Sequence, residues 1–512
     1  MSIPLFTLQS ETMSVPLTLS YRSNGIRVED RAGMVGLGWS LSSVGAVHRS
    51  LEGRPDEAGS SGYFDASSSG KFLYDYLDAL ATPPENTLAN ECSQEVENYI
   101  YPERVITGQY DGAPDLFQLS GLLSGSFFAH RDAPPLGSFV PQPLGFLTNP
   151  LKAWKINYVP GSFPATLGSD DVVTDGLVGW CASGCGSYKT YNDYIASWGV
   201  TDEYGNTYTY SAPGGTQTLV EHNSGGVGGN SDRTTTYVSS WGLTGASSSS
   251  GFQEVTATYE LNEYTVVARP RKGFFYSLYP SGPNHAPSGY SQTDVTTTHR
   301  EALVSTIETS TQRATFMYSL RSDVSGAKRL DKIVITDVQT GAVVIEFSFT
   351  YTYQNASGGS DSRMMLTEVR ERNGAEIGRK WKFTYNAPLP DYDSFAIDHW
   401  GYYTGISIPP SAIHAPLPSM TVTSQLLYGD ARTCGGGTCA TISGISRAPS
   451  NASNIARSLL NSVTYPTGAE VFYEYEPNDY QYVSDQVQSA GATQGKGVRV
   501  RRTYFENESG SY

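Results

Sequence analysis

Phe347, Phe349, Tyr351 and Tyr353 alternate with Glu346, Ser348, Thr350 and Thr352, and this run constrains the fold more than any other feature of the chain. A period of two places every aromatic on one face of a β-strand and every polar group on the other, so one face is dry and must be covered. The pattern recurs. Leu303-Val304 with Ile307 leads to Phe316 and Tyr318, and Leu330 with Ile333 and Ile335 leads through Gly341 to the run above. Leu366 with Val369 leads through Asn373-Gly374 to Trp381, Phe383 and Tyr385, and Leu459-Leu460 with Val463 leads through Gly468 to Val471, Tyr473 and Tyr475. Each unit has the chemistry of a β-hairpin, a Gly-containing turn between two alternating runs. Upstream, Trp198-Gly199-Val200-Thr201 before Tyr208 and Tyr210, and Trp241-Gly242-Leu243-Thr244 before Val255, Ala257 and Tyr259, extend the pattern. Such hairpins bury their dry faces by adding to a common curled sheet. The predicted fold class is therefore all-β: repeated antiparallel β-hairpins forming a large curled sheet or partial hollow shell, with loop-rich insertions.

Composition agrees with strands and turns. Charged residues make up 16% of the 512, while 53 Gly and 35 Tyr are present, a balance that favours strand over helix. The formal net charge of −16 argues against nucleic acid, because phosphate binding needs a basic face. Arg499, Arg501 and Arg502 read as a solvated strand edge. No apolar run is long enough to span a membrane as a helix, and Met1-Ser2-Ile3-Pro4-Leu5 lacks the basic and apolar regions of a signal peptide. Leu5 to Leu8 and Val15 to Tyr21 already read as strands, which points to a fragment or an alternative start. Four regions are expected: an opening β element over 1–57, irregular β-rich decoration over 58–195 with one helix near 73–80, Trp-led hairpins over 196–300, and hairpin repeats over 301–512. The stretches 223–231 and 246–251 read as surface loops.

Two glycine-punctuated segments stand apart. Gly36-Leu37-Gly38-Trp39-Ser40 reads as a turn with one aromatic anchor, its glycines allowing positive φ or close backbone approach, and it continues through His48-Arg49 to Gly53 and Glu57. Asp398-His399-Trp400-Gly401-Tyr402-Tyr403-Thr404-Gly405 reads as a packed aromatic turn in which His399 is the best-placed acid/base group. Cys181 and Cys185, like Cys434 and Cys439, sit in Gly/Ser-rich loops, with Cys92 alone. Local disulfides and a four-thiolate zinc site both remain open. Disulfides are favoured, because three and four intervening residues are looser than the usual two-residue zinc knuckle, and they imply an oxidising compartment.

The chemistry-bearing residues do not converge. The seven histidines are scattered, no Gly-x-Ser-x-Gly elbow is present, and no Asp-x-Asp-x-Asp-Gly loop supports calcium. Acidic pairs such as Asp170-Asp171 and Glu474/Glu476 are what any acidic surface carries. No catalytic residue, cofactor or metal ligand is assigned.

Several segments, in order, resemble bacterial RHS/YD-repeat shell proteins, especially large cell-surface members of the Bacteroidetes type, and more distantly the toxin-complex B subunits. They are Gly36-Leu37-Gly38-Trp39-Ser40 followed by Arg49, then Pro114-Asp115-Leu116-Phe117, Asp398 with Trp400, Gly401, Tyr402 and Gly405, Tyr465-Pro466-Thr467-Gly468, and Gly495-Lys496-Gly497-Val498. Full YD repeats and the family's Asp-Pro-x-Gly-Leu core motif are missing. The resemblance implies a non-catalytic, secreted or cell-surface shell segment that contains or presents a C-terminal toxin or effector. Its partners would be YD repeats and effector of its own polypeptide, or a neighbouring shell component. Two other readings are a surface adhesion or carbohydrate-binding module, with a glycan as ligand, and a secreted glycoside hydrolase.

Overall fold

A computed structural model describes residues 1–52, 55–57, 63–64, 114–130, 144–162, 193–211, 220–225, 233–268, 273–275, 289–291, 295–356, 361–405, 420–422, 424–427, 430–433, 440–442, 452–480 and 493–505, apart from Ser23, Ala375, Phe395 and His399. The predicted helix near 73–80 and all five cysteines lie outside the described residues. What is described is almost entirely strand. β1 (Ser2–Gln9), β2 (Ser14–Tyr21) and β3 (Trp39–Ser42) form a small antiparallel sheet of their own.

Most of the remaining strands belong to one large antiparallel sheet, and three pairs form small two-stranded sheets of their own. β4 (Gly45–Ser50), β5 (Leu116–Gly121), β6 (Gly125–His130) and β7 (Gly145–Asn149) pair in succession, as do β8 (Lys155–Ser162), β9 (Asp193–Thr201) and β10 (Thr207–Ser211). β11 (Val220–Gly225) pairs with β12 (Arg233–Val238). Both successions meet on β13 (Ser240–Ser247), where β4 takes Ser240 to Gly242 and β10 takes Gly242 to Ser247. The sheet therefore forks at β13. β14 (Gln253–Ala268) continues it past the short hairpin of β15 (Gly273–Phe275) and β16 (Gly289–Ser291) into β17 (Val295–Thr309), β18 (Gln312–Leu320), β19 (Lys328–Asp337), β20 (Val343–Gln354), β21 (Arg363–Asn373) and β22 (Glu376–Tyr385). β23 (Met420–Val422) pairs with β26 (Ala440–Ile442), and β24 (Ser424–Leu427) with β25 (Asp430–Thr433). After the four-residue helix α1 (Ala452–Ile455), β27 (Leu460–Thr464) joins β22, followed by β28 (Glu470–Tyr480) and β29 (Thr493–Phe505). The sheet is open and not closed into a barrel. Of the stretches read as loops, 223–225 lies in β11 and 246–247 in β13, where neighbouring strands supply the backbone partners that local composition does not reveal.

One register pattern recurs between β10 and β29. At β10–β13, β14–β17, β18–β19, β20–β21, β22–β27 and β28–β29 the pairing slips by one residue beside a tyrosine. Tyr210 then faces Leu243, Tyr259 faces Val304, Tyr318 faces Leu330, Tyr351 faces Leu366, Tyr385 faces Leu460, and Tyr475 faces Val500. The residue left out of register is polar each time: Thr244, Ser305, Asp331, Thr367, Asn461 and Arg501. A bulge of this kind interrupts the ladder. The next tyrosine along supplies a hydrogen bond there. Tyr259 donates its hydroxyl proton to the Leu243 carbonyl at 2.6 Å, Tyr318 to Val304 at 2.8 Å, Tyr351 to Leu330 at 2.6 Å, Tyr385 to Leu366 at 2.6 Å, and Tyr475 to Leu460 at 2.7 Å. Each of these five tyrosines thus fastens its strand to the bulge that precedes it.

The two ends of the sheet differ. One collects short turns, 10–13, 43–44, 122–124, 202–206, 248–252, 310–311, 338–342, 374–375 and 465–469, none longer than five residues. The other collects every long connection, including 22–38, 51–115, 163–192, 269–294, 321–327, 355–362, 386–459 and 481–492. Between the ends, β1–β3 packs against the dry face of the sheet. Leu8, Leu17 and Leu19 share one buried cluster with Trp198, Trp241, Ile333, Phe347, Trp381 and Val463. Phe347 and Phe349 of the aromatic stripe lie in this core, while Tyr351 and Tyr353 are half-buried. Side-chain bonds tie the two sheets, from Thr12 Oγ1 to Glu254 (2.8 Å), Thr311 Oγ1 to the Gln9 carbonyl (3.1 Å) and Arg379 Nη2 to the Leu5 carbonyl (3.2 Å).

Candidate functional site

The singled-out residues fall at the long-connection end, in three groups. In the first, Gly36 and Gly38 hold φ at +104° and +76°, where a Cβ would stand 2.9 Å from the Leu366 amide nitrogen and 2.7 Å from the Tyr21 ring, respectively. That closeness seats Trp39. Its indole packs on Tyr21 (5.1 Å between centroids) and Phe383 (4.6 Å), and Nε1 donates to the Tyr385 hydroxyl at 2.7 Å. Tyr385 in turn donates to Leu366, so the anchor plugs directly into the tyrosine series. Burial pushes the Tyr21 and Tyr385 hydroxyls well above the usual tyrosine range.

The second group is the 398–405 turn. One Asp398 oxygen accepts from the amides of Trp400 (2.8 Å) and Tyr402 (2.9 Å), and the Asp398 amide donates to the Tyr402 carbonyl at 2.8 Å. This is an aspartate spent on closing its own turn. Gly401 at φ +91° offers its carbonyl to the Val28 amide (2.9 Å), and Gly405 leaves room for Asn454, whose Nδ2 donates to Thr404. Tyr402 is buried beside Gly25 and Gly497, whereas Trp400 is 37% exposed. His399 lies outside the described residues. Leu37 and Tyr402 share a second buried cluster with Met364, Met365, Leu389, Leu459 and Val498, so the structure brings the glycine motif and this turn to one core.

Two arginines that sequence reasoning missed complete this end. Arg321 pairs with Asp323 (Nη2 to Oδ2, 2.7 Å) and donates through Nη1 to the Ala32 carbonyl at 2.8 Å. Arg363 donates to the carbonyls of Pro390 (2.7 Å) and Val28. Both guanidinium groups therefore hold the 28–33 backbone, a role that composition gives no means of assigning because carbonyl acceptors belong to every residue.

The third group sits at the fork. Arg49 of β4 has a fully buried side chain, 2.5 Å from Glu57 and 3.3 Å from Asp115, with its guanidinium over the rings of Phe117 (5.3 Å) and Trp241 (5.1 Å). Asp56 and Asp115 each accept the other's backbone amide, at 3.0 and 3.2 Å, and Asp115 also accepts from the Glu52 amide at 2.9 Å. Burial opposes the Arg49 charge, but the Glu57 and Asp115 carboxylates outweigh it and raise its pKa. For Asp115 burial wins over Arg49, and its carboxyl is raised to about 6. The carboxylates at this fork are engaged by an arginine and by amides. Among the described residues no three His, Cys, Asp or Glu side chains gather to hold a metal ion.

No protein family model matches the chain, and no curated protein matches it either. Among solved structures, the N-terminal domain of effector protein SpvB from Salmonella typhimurium strain LT2 is similar over 73% of this chain and 98% of that one, at 9% identity and a TM-score of 0.28. So low a similarity transfers nothing to this chain. Among the described residues no helix is long and apolar enough to cross a membrane.

Proposed function

We propose that this chain is a non-catalytic β-shell segment of the RHS/YD-repeat type, secreted or displayed at a cell surface, whose role is to contain or present another polypeptide. The observation that carries this reading is the register pattern, because a sheet in which one strand after another is fastened to the bulge before it grows by addition, as a shell wall must. Two further features support it over its rivals. A glycan-binding stripe needs solvent-facing rings, and Trp198, Trp241, Phe347 and Trp381 are buried in the core that β1–β3 share with the sheet. A glycosidase needs two carboxylates facing a cleft, and the buried carboxylates of the fork are committed to Arg49 and to amides.

The test is to isolate the protein from its producing cells with an antibody against this chain and treat the native preparation with protease. An associated or covalently continuous polypeptide that survives digestion in the native state, and is cleaved once the sheet has been unfolded, is the expected result. A bare chain that binds immobilised glycans or releases sugar from a polysaccharide overturns the proposal.

A further inference from the structure

The tyrosine series is regular enough to say what its next member requires. In five consecutive steps, the residue that a tyrosine faces across a bulge offers its carbonyl to the tyrosine of the following hairpin: Leu243 to Tyr259, Val304 to Tyr318, Leu330 to Tyr351, Leu366 to Tyr385 and Leu460 to Tyr475. The upstream end of the series is already capped. Pro160 and Ile195 face each other across a like slip in β8–β9, and the Ile195 carbonyl accepts from Trp241 Nε1 at 2.5 Å while the Tyr210 hydroxyl has no hydrogen-bond partner among the described residues. At the downstream end Tyr475 faces Val500 on β29, and among the described residues β29 pairs with β28 alone.

We propose that the outer edge of β29 is a recognition edge for an antiparallel strand carrying a tyrosine, whose hydroxyl donates to the Val500 carbonyl. The charge on the edge narrows the occupant. Arg499 and Arg502 are met on the inner side by Glu476 and Glu474, both at 2.7 Å, and Arg501, the residue left out of register, is exposed. Two antiparallel copies of β29 laid edge to edge about Val500 would oppose Arg499 with Arg501, which is unfavourable across a strand pair. A strand with acidic or neutral residues alternating with aromatics, as in β20 and β28, has no such conflict. The occupant is thus a tyrosine-bearing, non-basic extended polypeptide and not a second copy of this chain. This inference stands on the register alone and does not depend on the containment role.

The experiment uses the whole chain and a labelled synthetic peptide copying residues 343–354, whose Tyr351 makes the internal contact with Leu330. Two comparison peptides carry Tyr351→Phe or N-methyl groups on alternate amides. The copied peptide should bind saturably and slow amide exchange in residues 499–505. The phenylalanine form should bind about fivefold more weakly, the worth of one net hydrogen bond, and the N-methylated form should not bind. Equal binding of the tyrosine and phenylalanine peptides, binding that survives N-methylation, protection that appears elsewhere, or a dimer that occupies the β29 edge would each overturn the proposal, as would absence of binding up to the solubility of the peptide.

Discussion

The two ends of the sheet are built by opposite means. At the short-turn end, local sequence shapes most of the tips, and the long-range ties there are the few that fasten the β1–β2 turn, Thr12 to Glu254 and Thr311 to Gln9. Gly205, Gly251, Gly341 and Gly468 adopt positive φ at hairpin tips, and at Gly251, Gly341 and Gly468 an added Cβ would meet nothing within 4 Å. At the long-connection end, order comes from contacts between residues hundreds of positions apart, as in Trp39 with Tyr385, Arg321 with Ala32, and the Tyr21 hydroxyl with the Leu460 amide at 3.0 Å. The same sheet is thus turned by local sequence at most tips of one margin and pinned from afar along the other. Perturbations should cost most at the pinned margin and least at the tips.

The largest effect is predicted for Trp39→Ala. It removes a buried indole together with the donor to Tyr385, and denaturant unfolding should show a loss of about 3–5 kcal/mol; unchanged stability would mean that the anchor does not hold the two sheets together. Tyr351→Phe comes next. It leaves the Leu330 carbonyl without its donor, at a cost of about 1–3 kcal/mol, and hydrogen exchange should accelerate in β19 and β20 before it does elsewhere. Gly341→Ala, at a tip with φ +69° and open space, should cost only about 1 kcal/mol, from backbone strain alone. A larger loss there would erase the contrast between the ends.

The smallest effect is a slope. The Asp115 carboxyl is raised from 3.8 to about 6 by burial, against the pull of Arg49. A group whose folded-state pKa is raised contributes stability that is fully present below its unfolded value and lost as pH rises through the folded one. Asp115 should therefore favour the folded state at the acid side of this window, and Asp115→Asn should flatten the change in unfolding free energy between pH 4 and pH 6. An unaltered slope would show that the proton resides elsewhere in the cluster.

The sequence made the strands legible because alternation survives in every hairpin, and the leading residues Leu330, Leu366 and Leu460 and the closing Tyr351, Tyr385 and Tyr475 stand out by type. Their connection was hidden. A one-residue slip leaves no trace in a two-residue period read along a single strand, so Thr367 and Asn461 look like ordinary polar positions and not the residues that bulge. Arg49 and Asp115 are both visible as motif residues, but the Glu52 amide and its acceptor lie 63 positions apart, and nothing local announces the meeting. The 398–405 turn is legible by its aromatics, but its closure on the Asp398 carboxylate is not, because an aspartate there looks like any surface acid.

The central claim is that five tyrosine hydroxyls fasten their strands to the bulges before them, and a spectrophotometric titration of tyrosine ionisation tests it most directly. Burial, the leading cause for each of Tyr259, Tyr318, Tyr351, Tyr385 and Tyr475, holds these hydroxyls protonated well above the ordinary value of 10.0. Stability from these groups is present below pH 10 and is lost as pH rises beyond it. The account predicts two phases: exposed tyrosines ionise near pH 10, and the buried ones ionise together as the sheet unfolds, with one fewer late group in Tyr351→Phe. A single phase near pH 10 in a chain that keeps its β-sheet circular dichroism would contradict it.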